Sequence, residues 1–417
     1  MIIKPYKLRE LFSRISWLLL VMVFVSIPIL PILTKFFLIL FIVVTIINID
    51  FLKINKIIIN DSLIKLYLLF YIIIVFWLFK SDFSFGQKKL ETQCLFFLLP
   101  IIFCFVNTKS KDYARLLEYF VIGTSIACIS LYILALVASI NNGSYIFLDR
   151  LGREQNYFQY VNLTKSLGHH PSYFSMYISF SIVVLFNSNM KILTGFYKYG
   201  MIVFLILTLF LVNSKMGIVA FLAVFILDLR RFFKKFNSRF KIIFSIIAIV
   251  ISSLYFLNSS LGARFGQVFS TLNKDFSEAI HVWDPLGQRL KLWYISSEII
   301  NDNWLSGTGT GTVKSSIISY CNNLFESRRC VPIKNFNAHN QFLESFIAYG
   351  ITGFLIIISF FVFLFKKSFN NPLILGFTII LFLNCLTESI LEREMGVMFF
   401  LLVSIILILN DNKNETC

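Results

Sequence analysis

The run Asn337-Ala338-His339-Asn340-Gln341-Phe342-Leu343-Glu344 sets an imidazole, amides and a carboxylate just ahead of a long apolar stretch. Asn337 is placed to N-cap a helix there. That puts His339 in the first turn, with Asn340 and Glu344 four apart on an adjoining face. A helix N-terminus disfavours an imidazolium, so the chemistry expected of His339 is proton acceptance. The ordinary alternative is a polar helix start. His169-His170-Pro171-Ser172-Tyr173-Phe174 has a similar form, a helix opening with proline at its first position. Neighbouring histidines do not face one way, which argues against a metal site.

Cations complement these histidines. Lys215 lies in Asn213-Ser214-Lys215-Met216-Gly217, a break between two apolar runs, where a snorkelling lysine on a short turn is the plain alternative. Arg264 follows another apolar run in Gly262-Ala263-Arg264-Phe265. Gln288-Arg289-Leu290-Lys291-Leu292-Trp293-Tyr294-Ile295 reads as helix, with Arg289 and Trp293 four apart on one face. A planar guanidinium beside an indole suits a phosphate next to a sugar or lipid edge, or else a surface Arg stacked on Trp. Glu388, Glu392, Arg393 and Glu394 form a short charged run between apolar stretches, which a solvated turn with internal ion pairs would also explain. Gly307-Thr308-Gly309-Thr310-Gly311 lacks the Gly-Lys-Ser/Thr ending of a phosphate loop and reads as a glycine-rich turn. Neither an Asp-x-Asp pair nor a His/carboxylate cluster occurs around these positions, so no metal is expected.

The elements that carry these residues follow from composition. Of 417 residues, 57% are apolar, 49 are Phe and only 14% are charged, and mean hydropathy is +0.78. A water-facing fold cannot hide that much apolar surface, so the class is an all-α polytopic membrane protein. With about 20 apolar residues needed per crossing, spans fall near 15–29, 31–49, 62–79, 92–107, 114–140, 173–189, 197–213, 215–229, 242–258, 341–365, 372–388 and 395–410, twelve in all. The start of the chain reads as a first span rather than a removable signal, because no small-residue cleavage site follows it.

The net charge of +16 comes with no basic-aromatic recognition motif, so it points to loops beside a membrane and not to nucleic acid. Placing the N-terminus in the cytoplasm gathers the clusters around Lys4–Arg14, Lys109–Arg115, Arg230–Lys241 and Lys366–Lys367 on the inside, as the positive-inside rule requires. Lys80, Lys88 and Lys89 are the soft spot of that alternation. Both termini are then cytoplasmic, and two long segments, 141–172 and 259–340, face outward. The chain divides into spans one to nine (1–258), a large outside loop (259–340) and spans ten to twelve with a tail (341–417). Cys321 and Cys330 share the loop, where an oxidising compartment would permit but not require a disulfide.

Arg289, Trp293, Gly307-x-Gly309-x-Gly311, Ala338–Glu344 and Tyr349-Gly350-Ile351-Thr352-Gly353 together resemble the O-antigen ligase superfamily, which also includes O-antigen polymerases and protein O-oligosaccharyltransferases. The motif region covers roughly 260–395, and the large loop before the tenth span is most like the ligase branch. The resemblance implies a membrane-embedded glycosyltransferase of the GT-C type in the bacterial inner membrane, with its active site facing the periplasm. It would move a glycan from undecaprenyl diphosphate to lipid A–core oligosaccharide or another glycan, with inversion and without cofactor or metal. It also implies Lys215, Arg264 and Arg289 as diphosphate ligands and His339 as the catalytic residue that receives or orients the acceptor proton. Glu388, Trp293, Asn340 and His170 would support them. Lys215 stands where the family usually has Arg, and Glu388 where some ligases have Asp. Polymerase or protein transferase activity are the nearest alternatives. A lipid-linked oligosaccharide flippase would instead want cations within the spans.

Overall fold

The computed structural model describes residues 5–49, 55–81, 83–106, 110–149, 154–188, 194–233, 260–282, 284–325, 330 and 337–411. The described residues are helical almost throughout. In order come α1 (Pro5–Ser26), α2 (Pro31–Ile47), α3 (Lys56–Asn60), α4 (Ser62–Phe76), α5 (Phe83–Gln93), α6 (Leu95–Phe105), α7 (Ser110–Asn142), α8 (Tyr160–Thr164) and α9 (Pro171–Asn187). Then follow α10 (Gly195–Val212), α11 (Lys215–Phe233), α12 (Ser260–Leu272), α13 (Phe276–Ala279), α14 (Pro285–Asn303), α15 (Val313–Leu324), α16 (Gln341–Ser368), α17 (Pro372–Cys385) and α18 (Glu394–Asp411). The all-α class holds, with one short exception among the described residues. Ile146–Leu148 pairs antiparallel with Glu154–Asn156 as a two-stranded ribbon between α7 and α8.

Among the described residues, five helical stretches are long and apolar enough to cross a membrane: Ser62–Lys80, Tyr113–Asn142, Gly195–Val212, Gln341–Ser368 and Glu394–Asp411. Shorter apolar helices lie at Pro31–Ile47, Pro171–Asn187, Lys215–Leu227 and Pro372–Cys385. The expected span at 242–258 lies outside the described residues.

The phenylalanines explain how the helices cohere. α18 runs through the centre, buried from Gly396 to Leu409. Its adjacent Phe399 and Phe400 point to different clusters. Phe399 meets Phe120, Tyr177, Phe180 and Phe377, and Phe400 meets Tyr67, Phe96 and Phe360. Most of these contacts are tilted or edge-on, the arrangement that ring quadrupoles favour. The Tyr67 hydroxyl lies 2.8 Å from Ser404 Oγ, so its polar end is not stranded in that apolar centre. By contrast Ile32, Phe36, Ile39, Val43 and Ile47 on α2, and Val203 and Leu207 on α10, are exposed. An apolar exterior of that extent fits lipid and not water.

The glycine run is a splice between the loop and α16. At Gly350 (φ 63°) α16 leaves helical geometry. The backbone N–H groups of Thr308 and Gly309 donate to the Ile347 and Ala348 carbonyls at 2.7 and 2.9 Å, and Ile351 N–H donates to the Trp304 carbonyl. A Cβ on Gly307 would lie 2.4 Å from Gly350 N, so only glycine permits the approach. The amides a phosphate loop would aim at a ligand are committed here to carbonyls freed by a kink. Cys321 and Cys330 are disulfide-linked, with Cα atoms 5.9 Å apart.

Candidate active site

A cavity of about 690 Å³ opens at one end of the helices. It is ringed by the starts of α9, α11, α14 and α15, by the segment that leads into α16, and by the connection from α17 to α18. Helix N-termini carry unsatisfied N–H groups and a partial positive charge, so their convergence makes the cavity receptive to anions. Lys215, Arg289, Lys314 and Arg393 outnumber Glu388 and Glu392 on its wall.

Local sequence explains each start. Asn213, left-handed at φ 53°, ends α10 and turns the chain into α11 within two residues, which brings Lys215 to the rim. Asp284 caps α14 by accepting from Gly287 N–H, and its other oxygen accepts from Thr271 of α12 at 2.5 Å. Pro285 occupies the first position, and Arg289 follows one turn later. His170 is the N-cap of α9: its Nδ1 accepts from Ser172 N–H at 3.4 Å.

His339 is not in a helical first turn, contrary to the expectation. Asn340 is the cap of α16, its side-chain oxygen accepting from Phe342 and Leu343 N–H. Asn337 instead accepts from His339 N–H at 3.1 Å, a local turn that competes with helix. His339 therefore sits just outside the helix at φ 45°, a conformation that surrounding contacts must hold. They come from Asn340, Gln341 and Glu344, which clamp the α17–α18 connection. Asn340 Nδ2 donates to the Leu386 carbonyl at 3.1 Å, and Gln341 Oε1 accepts from Leu391 N–H at 2.7 Å. Buried Glu344 accepts from Ala338 N–H at 2.8 Å and from Ser389 Oγ at 3.4 Å.

Between those clamps lies Glu388, three residues beyond the end of α17 and 11% exposed. Its Oε2 is 3.1 Å from His339 Nδ1. Its Oε1 accepts from Arg289 Nη2 at 2.9 Å and from Ser172 Oγ at 3.4 Å. Arg289 Nε also donates to the Thr387 carbonyl at 3.2 Å. Burial pushes the Glu388 carboxyl up, but the His339 hydrogen bond and the Arg289 charge outweigh it and hold the group down at about 2. An ionised carboxylate has no proton to give, so His339 Nδ1 is the donor. In the neutral ring the lone pair is then on Nε2. Burial lowers the His170 pKa against the pull of Glu388.

The structure thus brings Lys215, Arg289, His339, Glu388 and His170 to one cavity, and ties Asn340 to it through Leu386. Trp293 is not on the wall, and its indole Nε1 has no hydrogen-bond partner among the described residues. Arg289 turns to Glu388 rather than to the indole, because a charge-assisted pair outweighs stacking at a partly open surface. Arg264 lies in α12, and its side chain is outside the described residues. Sequence reasoning gave Ser172 no role and read Arg393 only as part of a charged turn; Lys314 carries no local signal that could have found it. Among the described residues no group of three or more His, Cys, Asp or Glu could hold a metal ion.

Apolar helices crossing at an aromatic core, with a cationic cavity and an imidazole–carboxylate pair at their ends, define a helical membrane protein with an enzyme-like site. Residues 200–358, the segment carrying Lys215, Arg289 and His339, match the family model described as O-antigen ligase. Its members are ligase- or polymerase-type glycosyltransferases, which in general pair a lipid-linked glycan with a glycan acceptor. His170 and Glu388 lie outside the matched segment. A search of curated proteins finds no match.

Proposed function

We propose that the protein is an inverting, metal-independent O-antigen ligase of the GT-C type, working at the periplasmic face of the bacterial inner membrane. It transfers a glycan from undecaprenyl diphosphate to a hydroxyl of lipid A–core oligosaccharide. The observation that carries this reading is the Arg289–Glu388–His339 chain on the wall of a cation-rich cavity. The acceptor oxygen attacks the anomeric carbon, its proton passes to His339 Nε2, and the bond from that carbon to the diphosphate oxygen breaks. Glu388 holds the ring and stabilises the imidazolium that forms. Lys215 and Arg289, with Arg264 as the further family arginine, take up the charge that develops on the departing diphosphate. Diphosphate is a good leaving group, so neither nucleotide nor metal is needed.

A purified-component assay tests this by offering lipid A–core, a second lipid-linked glycan and a hydroxyl-bearing protein in turn, each with and without excess EDTA. Transfer to lipid A–core that persists in EDTA is the expected result. Transfer only to the lipid-linked glycan would make the protein a polymerase. Activity lost to EDTA and restored by Mg²⁺ would refute the metal-independent mechanism.

A further inference from the structure

Beside the large cavity lies a second one of about 380 Å³. The two share a wall of His170, Tyr173, Glu392 and Arg393. We propose that this smaller chamber is the acceptor subsite and that it takes an uncharged sugar ring, presenting the ring's hydroxyl across the shared wall. The proposal rests on the transferase reading above and adds where the acceptor binds and what chemistry it has there.

Charge separates the two chambers. The large one has an excess of cations, as a diphosphate requires. In the small one Lys35 and Arg393 are matched by Glu392 and Glu394. Three of these four are already paired, Lys35 with Glu394 and Glu392 with Lys89. With cations and carboxylates equal in number, this wall offers an anion less than the large chamber does, and it is lined with hydrogen-bonding groups that suit hydroxyls. Thr92 also lines the chamber, and Tyr173 and Met395 supply apolar surface for the C–H face of a ring.

The shared wall supports the same division. With His170 Nδ1 accepting from Ser172 N–H, the neutral ring carries its proton on Nε2, so His170 can donate to a sugar oxygen but cannot take a proton there. One residue pair further, Ser172 reaches the Glu388 carboxylate that holds His339. An acceptor lodged in the small chamber and projecting past His170 thus enters the large one at the wall where Ser172 and Glu388 lead to His339. A two-substrate displacement needs donor and acceptor held in separate, adjoining sites that meet at the base.

Thr92→Trp narrows the small chamber from a half-buried position on α5 that does not line the cavity of His339, Arg289 and Lys215. With lipid A–core as acceptor and undecaprenyl-diphosphate-linked glycan as donor, the acceptor KM should rise about tenfold or more, while donor binding and kcat at saturating acceptor stay within about twofold. Retained donor binding also shows that the variant folds. In a second arm, an uncharged trisaccharide fragment of the core should compete with the acceptor and not with the donor, and adding a phosphate to it should not help. An unchanged acceptor KM in Thr92→Trp, or competition by the phosphorylated fragment alone, overturns the subsite while leaving the transferase reading intact. A wild-type protein that transfers nothing to lipid A–core overturns both.

Discussion

α9 and α16 each start beside a histidine, and the two starts are chemically opposite. His170 caps its helix, with Nδ1 turned to the backbone as an acceptor. His339 stands before a helix capped by its neighbour, with Nδ1 turned to Glu388 as a donor. The first ring keeps its proton on Nε2 and the second keeps a lone pair there. The same side chain at the same kind of helix boundary is thereby prepared to give a hydrogen bond in one case and to take a proton in the other. The difference lies in what each Nδ1 finds, a property of the fold and not of the residue.

Removing the proposed base should cost most. His339→Ala is expected to lower turnover by about 10²–10⁴-fold with lipid-donor binding nearly unchanged, measured side by side on the same preparation. If donor binding collapses with it, His339 belongs to the phosphate site and the contrast with His170 dissolves.

Glu388→Gln keeps the shape but removes the carboxylate that fixes the His339 tautomer, so its loss of turnover should come within about tenfold of that for His339→Ala. The same variant sharpens the electrostatics. A carboxyl held at about 2 against an ordinary 4.5 contributes stability that is complete above pH 4.5 and is lost as the pH falls through 2. Thermal melts in detergent should show wild type losing its margin over Glu388→Gln across that window. A margin that does not change with pH would mean that the carboxylate is not held as described.

Arg289→Ala should weaken donor binding by about 10–100-fold, the scale of a lost charged hydrogen bond, and should lower turnover with it. Arg289→Lys should restore only part, because a point charge cannot bond Glu388 and Thr387 with the planar fork. Full rescue by lysine would reduce the role of Arg289 to charge alone. The smallest effect is expected at the other histidine. His170→Asn preserves an N-cap and should cost less than about tenfold in turnover, whereas a loss as large as that for His339→Ala would make His170 a second catalytic residue.

Much of this was legible in the residues. The apolar fraction and its runs require a helical membrane protein, because no water-facing surface could carry them. The motifs around Arg289 and His339 single out the loop and α16, since polar side chains at helix starts beside apolar runs are costly to place without a purpose. Glu388 could be named but not ranked. Nothing in its sequence neighbourhood says that it lies 49 positions from a histidine it touches. The misplaced turn at His339 has a similar origin. Asn337 and Asn340 are equally good caps by composition, and only the long-range hydrogen bond from Asn340 to Leu386 selects the second.

What the sequence determined by itself is therefore what local spacing and hydropathy determine: where helices run, which of their ends are polar, and which residue types stand there. The tertiary structure alone decided which ends meet, that Arg289 turns from Trp293 to Glu388, and which nitrogen of each histidine carries the proton. Those outcomes depend on through-space contacts of hydrogen-bond length, and a chain is free to fold many sequence separations into the same few ångströms.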